Sequence, residues 1–312
     1  MRLLFCGTPQ FAVPSLKHLL AQPDFEALAV FTQPDRPRGR GHQISSSPIK
    51  EVALAAKLPV HQPETIRALA VQELLQSYSP DFIVIIAYGQ IIPARLLPIP
   101  KYGWINLHAS LLPKYRGAAP INWAIVSGET RTGLTTMRID AGMDTGDILL
   151  QREFEIGAIE TAPGLSARLS EAGAPLMAET LRGLAAGSIT PRPQDHRQAT
   201  LASMLKRDDG LIDWNLTARE IHNRMRGFAP WPGSHTIFRS HSCHLSGEPV
   251  SNRKSDAPPG TLLLEGEELL AVCGGATLLR LLAVKLEGRK QVSASEFANG
   301  ARLKSGERFG HL

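Results

Sequence analysis

The sequence predicts a mixed α/β protein, with a Rossmann-like, mainly parallel sheet in its N-terminal part and a smaller OB-like β-barrel in its C-terminal part. In the first half, short apolar runs rich in β-branched residues alternate with segments of helical periodicity, as in parallel sheets with crossover helices. In the second half, short strand-like runs follow one another closely between Gly- and Pro-containing turns, as in small barrels. We therefore place a first domain at residues 1–189, a linker at 190–208 and a β-barrel domain at 209–312.

Six runs give the strands expected in the first half, namely Arg2–Cys6, Phe25–Thr32, Asp81–Ala87, Trp104–Leu107, Gly133–Ile139 and Asp147–Ile156. The run at 81–87 has a continuous β-branched interior, which indicates a strand covered on both faces. Ser47 followed by Pro48 predicts a helix start, because Ser caps the first turn and Pro suits the first helical position. The turn after the first strand contains a single glycine, Gly7, so the Gly-x-Gly-x-x-Gly pattern of dinucleotide-binding folds is missing. A dinucleotide cofactor is therefore not expected.

The second half begins after a long helix predicted at Pro163–Ala186. Pro191 and Pro193 then mark the linker, since prolines and polar residues interrupt the helical pattern. Thr217, with Glu220 three positions later, predicts a capping box and a short helix. The strands expected beyond it are Thr236–Arg239, Thr261–Leu264, Leu269–Val272 and Thr277–Leu286.

Composition limits the classes of protein to be considered. With 43% hydrophobic and 20% charged residues the chain is typical of a globular protein. Because no apolar run approaches the roughly 20 residues of a membrane span, we expect a cytoplasmic protein with no membrane association. Cys6, Cys243 and Cys273 lie too far apart for a disulfide framework or a zinc site, so no metal is expected. Of the net charge of +5, residues 190–312 carry +4, which suits an anionic partner.

The residues with the clearest chemistry lie between positions 104 and 147. Asn106 and His108 alternate with apolar residues along one strand, so they share a face near its carboxyl end. Asp144 lies in a Gly-punctuated loop that can return to this strand. An amide and an imidazole can donate hydrogen bonds to a developing oxyanion, and a carboxylate can orient the imidazole or relay protons. Since no nucleophile elbow is present, the pattern favours acyl transfer by direct attack of an amine.

Longer motifs carry a resemblance that extends over nearly the whole chain. They are Phe5–Ser15 (FCGTPQFAVPS), Gln33–Gly41 (QPDRPRGRG), Asn106–Pro120 (NLHASLLPKYRGAAP), Asp140–Asp147 (DAGMDTGD), Asp209–Trp214, Arg226–Gly233 and Ser295–Gly306. In these motifs the sequence strongly resembles the folate-dependent formyltransferase superfamily. The resemblance implies an enzyme whose formyl donor is 10-formyltetrahydrofolate and whose acceptor is initiator tRNA charged with methionine.

The resemblance also assigns residues to roles. It implies a catalytic trio of Asn106, His108 and Asp144, with both roles of Asp144, orienting His108 and relaying a proton, left open. It implies that Ser110, Leu111, Leu112 and Pro113 contact the folate, and that the apolar segments Ile83–Ile86 and Tyr88–Pro93 line the pteridine pocket. The first domain would be catalytic and the β-barrel domain would bind tRNA.

Arg36, Arg38 and Arg40 stand in a loop that, by the same resemblance, enters the acceptor end of the tRNA, where arginine can pair with phosphates. His42 and Gln43 replace the lysines that often follow in the family. Further candidates for tRNA contact in the basic C-terminal part are Lys206, Arg207, Arg224, Arg226, Lys285, Arg289 and Lys290. We expect the protein to act as a monomer.

Three alternatives remain open from the sequence. A formyltransferase of the same superfamily could act on a sugar nucleotide or on glycinamide ribonucleotide, although the arginine loop and the C-terminal motifs argue against both. A non-catalytic tRNA- or folate-binding protein is disfavoured by the intact trio. A hydrolase that passes the formyl group to water could use the same trio.

Overall fold

The computed structural model describes residues 1–38, 43–304 and 306–310. They form two compact units. The first consists of Met1–Pro120, Arg131–Glu155 and Leu165–Ser203, and the second of Ile121–Thr130, Ile156–Gly164 and Met204–Leu312. In the described part of the chain, no helix combines the length and the apolar character that a membrane crossing requires.

Eleven strands of the first unit are described. They are β1 (Arg2–Gly7), β2 (Glu26–Phe31), β3 (Arg36–Arg38), β4 (Gln43–Ser45), β5 (Val60–His61), β6 (Phe82–Ile86), β7 (Trp104–His108), β8 (Arg116–Gly117), β9 (Arg131–Arg138), β10 (Ile148–Glu155) and β11 (Leu201–Ala202). The helices described in the whole chain are α1 (Val13–Leu20), α2 (Pro48–Ala55), α3 (Leu69–Ser77), α4 (Pro120–Val126), α5 (Ala162–Ala185), α6 (Ala218–Gly227) and α7 (Ala294–Ala301).

The central sheet of the first unit has the strand order β10-β9-β7-β6-β1-β2-β5. The pairs from β7 to β5 are all parallel. Strand β9 pairs antiparallel with both β7 and β10, so within this sheet β9 is the strand that runs against the others. The predicted mixed α/β fold with a mostly parallel sheet is therefore confirmed at this level. Every residue of β6 is buried, as the uninterrupted apolar run predicts.

Two local features position β7, which carries the predicted chemistry. The long helix α5 approaches it closely, because a Cβ added at Gly173 would lie 2.4 Å from Cδ2 of Leu107. Within the sheet, β7 lies between β6 and β9, and Asn106 pairs with Ile85 of β6 and with Met137 of β9. The predicted start of α2 is also confirmed, since the Ser47 side chain accepts a hydrogen bond from the amide of Lys50.

In the described residues of the second unit there are six strands, namely β12 (His235–Phe238), β13 (His241–Val250), β14 (Leu262–Glu265), β15 (Glu268–Val272), β16 (Leu278–Leu286) and β17 (Val292–Ser293). They form an antiparallel sheet in the order β12-β13-β16-β15-β14, with β17 paired to β16. The predicted OB-like barrel thus corresponds, at the coarser level, to an antiparallel sheet.

The ten-residue strand β13 was not anticipated from the sequence. Its outward positions are polar, and Pro249 and Gly247 suggest a turn, while its inward positions, Cys243 and Leu245, are buried in the core of the unit. The predicted capping box is present at α6, where Thr217 and Glu220 exchange backbone and side-chain hydrogen bonds. The polar residues of β13 lie on the face opposite Cys243 and Leu245.

Candidate functional site

Asn106 and His108 occupy the last half of β7. His108 is buried, with 6% of its surface exposed, and Asn106 is half-buried. Because alternate residues of a strand share a face at ~7 Å spacing, the amide and the imidazole project to the same side of the sheet. The structure therefore brings together the first two residues of the predicted trio.

The imidazole of His108 has a polar partner at each nitrogen. Nε2 lies 2.9 Å from the carbonyl oxygen of Tyr115, and Nδ1 lies 3.5 Å from Oδ2 of Asp144. Since a carbonyl oxygen can only accept, Nε2 carries hydrogen in the first contact. The second contact joins two acceptors unless a proton resides on either Nδ1 or the carboxyl group. Nδ1 of His108 and the carboxylate of Asp144 thus face each other directly.

Asp144 reaches His108 because its loop, Ile139–Asp147, folds back tightly. Its backbone adopts a left-handed conformation with φ of 54°, which Asp tolerates better than most residues. Asp140 stabilises the loop by accepting hydrogen bonds from the amide of Gly142 (3.0 Å) and the hydroxyl of Thr145 (2.7 Å). The amide of Gly117 donates to Oδ2 of Asp144 at 2.8 Å. The Gly117 amide therefore holds the Asp144 carboxylate itself, and Asp140 holds the loop that carries it.

Two further residues support the site, and sequence reasoning missed both. Arg116 and Gln194 are buried, with 6% of each exposed, and the guanidinium of Arg116 donates to Oε1 of Gln194. Gln194 lies in the segment expected to be a linker. The sequence gives no sign that these two side chains are buried, because Arg and Gln in polar stretches are usually exposed.

The predicted folate-binding segment Ser110–Pro113 follows β7 directly. Ser110 is fully buried, and its hydroxyl donates to the carbonyl oxygen of Lys114 at 2.6 Å. Leu112 is also buried, and its carbonyl oxygen accepts from Nε2 of Gln151 at 2.9 Å. Leu111 and Pro113 are half-buried. The polar groups of Ser110 and Leu112 therefore hold the shape of the loop, and surface is offered by Leu111 and Pro113.

The segment expected to line a pteridine pocket, Tyr88–Pro93, follows the carboxyl end of β6. Tyr88 is buried, and burial raises the pKa of its phenol. Its carbonyl oxygen accepts from the hydroxyl of Thr8 and from Nε2 of Gln33. In contrast, Ile91 exposes 71% of its surface. The segment thus combines an anchored start with an apolar side chain that is open to solvent.

The arginine loop is described in part. Arg36–Arg38 pairs with Gln43–Ser45 as a short hairpin, and the side chain of Arg36 is exposed. Arg40 and His42 lie outside the described residues. At the base of the hairpin, Asp35 accepts hydrogen bonds from Lys50 and Gln62, and the Lys50 contact lowers the pKa of the Asp35 carboxyl. The hairpin therefore has an anchored base that presents Arg36 to solvent.

The cationic candidates of the second unit differ in exposure. Those that are exposed are Lys206, Arg207, Lys285, Arg289 and Lys290. Arg224 is half-buried, donates to the carbonyl oxygen of Asp209 and lies over the Phe228 ring. Arg226 is buried, and its donors bind the carbonyl oxygens of Gly157 and Glu160 and the side chain of Asn223. Arg226 thus supports the unit from within instead of facing a ligand.

Within the described ranges, no group of three or more His, Cys, Asp or Glu residues is arranged to hold a metal ion. The three cysteines are buried free thiols. Burial raises the pKa of Cys243 and Cys273 to about 12. These thiols are packing groups of the two cores.

Comparison with known proteins gives matches along the whole chain. The family model described as "Formyl transferase" matches residues 1–181, and "Formyl transferase, C-terminal domain" matches residues 204–302. A protein of Solibacter usitatus is 52% identical over 311 residues, covering 99% of both chains. One of Acidobacterium capsulatum is 50% identical over 311 residues, covering 99% of this chain and all of that one, 100%. Both are named methionyl-tRNA formyltransferase.

Solved structures share the fold at lower identity. A sugar 3N-formyl transferase, solved in the presence of dTDP and 5-N-formyl-THF, superposes with a TM-score of 0.66 at 19% identity and covers 93% of this chain and 99% of its own. An N-formyltransferase of Helicobacter canadensis, solved with folinic acid and dTDP-3-aminofucose, gives a TM-score of 0.65 at 19% identity, with coverages of 89% and 98%. At this identity the likeness concerns the fold.

Proposed function

The chain belongs to the formyl transferase family, and we propose that it transfers the formyl group of 10-formyltetrahydrofolate to the free α-amino group of initiator methionyl-tRNA, giving N-formylmethionyl-tRNA for translation initiation. The observation that carries the proposal is the likeness of about half of all residues, over the full length, to proteins named for this reaction. The contact between His108 and Asp144 also supports the proposal, because it places a carboxylate where it can orient the imidazole.

In the proposed reaction the neutral amine of the acceptor attacks the formyl carbon, and negative charge develops on the formyl oxygen. Asn106 and His108 stabilise this oxygen by donating hydrogen bonds, which accounts for their common face on β7. His108 donates the Nε2 hydrogen, which in this structure points to the Tyr115 carbonyl oxygen. Asp144 keeps the imidazole oriented through Nδ1. The attacking amine must lose a proton and the leaving folate nitrogen must gain one, and the Asp144 carboxylate beside His108 is placed to relay it.

The residues present suit a folate at this edge of the sheet. Ile91 offers an exposed apolar surface after β6, and Leu111 and Pro113 offer half-buried surface after β7. A flat pteridine ring requires such apolar walls together with a few backbone hydrogen-bonding groups. We therefore propose that Ser110–Pro113 contacts the folate through the outer side of the loop, with Ser110 and Leu112 holding its shape.

The proposed acceptor is bound by two basic elements. Arg36, Arg38 and Arg40 form the first, and exposed cations of the C-terminal part form the second, because phosphate contacts supply most of the affinity for nucleic acid. The proposal keeps the catalytic domain at 1–189, the linker at 190–208 and the tRNA-binding domain at 209–312. It further includes closure of the C-terminal sheet into an OB-like barrel, a monomeric state and a cytoplasmic location.

One assay separates the proposed function from its alternatives. The protein is incubated with 10-formyltetrahydrofolate and, in separate reactions, methionyl-tRNA, an amino sugar nucleotide, glycinamide ribonucleotide or no acceptor. We expect formylation of methionyl-tRNA, measured as acid-stable formyl label on the aminoacyl-tRNA. Transfer to one of the other acceptors, or release of formate without an acceptor, would replace the proposal by the corresponding alternative.

A further inference from the structure

Gln194 holds the loop that carries Asp144, although the two residues are 50 positions apart along the chain. Its side-chain Nε2 donates to the carbonyl oxygen of Asp144 at 2.9 Å and to that of Gly146 at 2.7 Å. Both hydrogens of one amide group are therefore used by the turn that contains Asp144. Since Gln194 is 6% exposed, water does not readily replace these bonds.

The other end of the same amide binds Arg116. Oε1 of Gln194 accepts from Nε of Arg116 at 3.0 Å and from Nη2 at 2.6 Å. An arginine side chain only donates, and a backbone carbonyl oxygen only accepts, so the orientation of the amide is determined by chemistry. Gln194 thus joins a buried guanidinium to the Asp144 loop through one rigid planar group.

The segment that follows Gln194 supports the other contact of His108, the one with the Tyr115 carbonyl oxygen. Tyr115, whose carbonyl oxygen faces His108, donates its amide hydrogen to Oγ1 of Thr200 at 2.8 Å. Beside it, the carbonyl oxygen of Ala202 lies 2.6 Å from where a Cβ at Gly117 would be placed. Gly117 is the residue whose amide donates to Asp144. Residues 194–202 therefore contact the backbone at both partners of the His108 imidazole, Tyr115 and Asp144.

We propose that Gln194 is a positioning residue, which acts through Asp144 by keeping its carboxylate beside Nδ1 of His108. A carboxamide is required because one group must accept from Arg116 and donate to two carbonyl oxygens at the same time. The effect on turnover rests on the proposed function, since it is measured as formyl transfer. The effect on the loop does not.

Three variants separate positioning from mere neutralisation of Arg116. Gln194→Ala removes both sets of bonds. Gln194→Glu preserves and strengthens the contact with Arg116, because it becomes charge-assisted, but it has no hydrogen to give to the Asp144 loop. Gln198→Ala is the matched control, because Gln198 is an exposed glutamine of the same segment whose side chain binds Asp195.

We expect both Gln194 variants to lower kcat for methionyl-tRNA by about 10- to 100-fold, a loss typical of misplacement by about 1 Å, with KM for tRNA within about threefold of wild type. Gln198→Ala should leave both parameters unchanged. The melting temperature of Gln194→Glu is measured in parallel, so that a variant which folds normally carries the test. A Gln194→Glu protein with wild-type kcat would overturn the proposal.

A double variant and a hydrogen-exchange measurement, which does not depend on enzyme activity, complete the test. In an Asp144→Asn background, Gln194→Glu should cause no further loss of kcat, because it acts through Asp144; an undiminished loss would contradict that route. Hydrogen exchange at the Gly117 amide, which donates to Asp144, should become about tenfold faster in Gln194→Glu and not in Gln198→Ala. Unchanged exchange would overturn the positioning role even if the wild-type protein formylated a different acceptor.

Discussion

Replacing Asp144 by Asn tests the electrostatic core of the site with little change of shape. Asparagine is also tolerated in the left-handed conformation that Asp144 adopts, with φ of 54°, so the loop should keep its path. The carboxylate lies 3.5 Å from Nδ1 of His108. When the imidazole takes up a proton during the proposed reaction, two unit charges at this separation interact by about 4–5 kcal/mol at an effective dielectric constant of 20. Partial exposure of Asp144, at 18%, and its bond with Gly117 reduce this, so we expect a loss of about 3–4 kcal/mol, or ~10²–10³-fold in turnover.

The assay is single-turnover formylation of methionyl-tRNA with enzyme and donor in excess, which separates chemistry from product release. Asp140→Asn is the matched control. Asp140 lies in the same loop, but its Oδ1 accepts from the Gly142 amide and the Thr145 hydroxyl, which an amide oxygen can also do. We expect this control to retain activity within about twofold. If Asp144→Asn turned over as fast as Asp140→Asn, the charge of Asp144 would have no part in the reaction.

Four further predictions concern the oxyanion donor, the tRNA contact, a helix cap and the buried thiols. Asn106→Ala should lower kcat by about 10²–10³-fold and leave tRNA binding nearly unchanged; near-full turnover in stopped assays would remove Asn106 from the oxyanion site. Arg40→Ala should raise KM for tRNA and reduce the salt slope by about one, and an unchanged slope would mean that it makes no phosphate contact. Thr217→Ala should reduce the unfolding free energy by about 1 kcal/mol in denaturant titrations, whereas Thr217→Ser should not; equal stabilities would contradict the capping role. Because burial raises the pKa of Cys243 and Cys273 to about 12, alkylation of the native protein near about pH 8 should be very slow by mass spectrometry, and rapid labelling of either would show that its core opens.

The features that were predicted correctly from the sequence are those that depend on residues close together along the chain. The burial of β6 follows from its uninterrupted apolar run, and the caps of α2 and α6 follow from Ser47 and Thr217 at the required spacing. The shared face of Asn106 and His108 follows from the period of a strand. Patterns of this kind depend on neighbours within a few residues, so one chain suffices to read them.

The residues that were missed depend on contacts between distant segments. The strand β13 looks polar because only its inward side chains, such as Cys243 and Leu245, meet the core. Arg226 resembles a surface cation in sequence, but its donors are used inside the second unit.

The sequence by itself predicted Asn106, His108 and Asp144 as a set: the period of a strand put the first two on one face, and the resemblance to the formyltransferase superfamily implied their catalytic roles. The tertiary structure decided what holds them. Arg116 lies 78 positions from Gln194, and Gln194 lies 50 positions from Asp144. A buried polar group must find its partners wherever the chain brings them, and the free energy of leaving it unpaired makes that choice specific. The spacing of residues along the chain carries no record of such a choice, which is why an apparent linker proved to contain the support of the Asp144 loop.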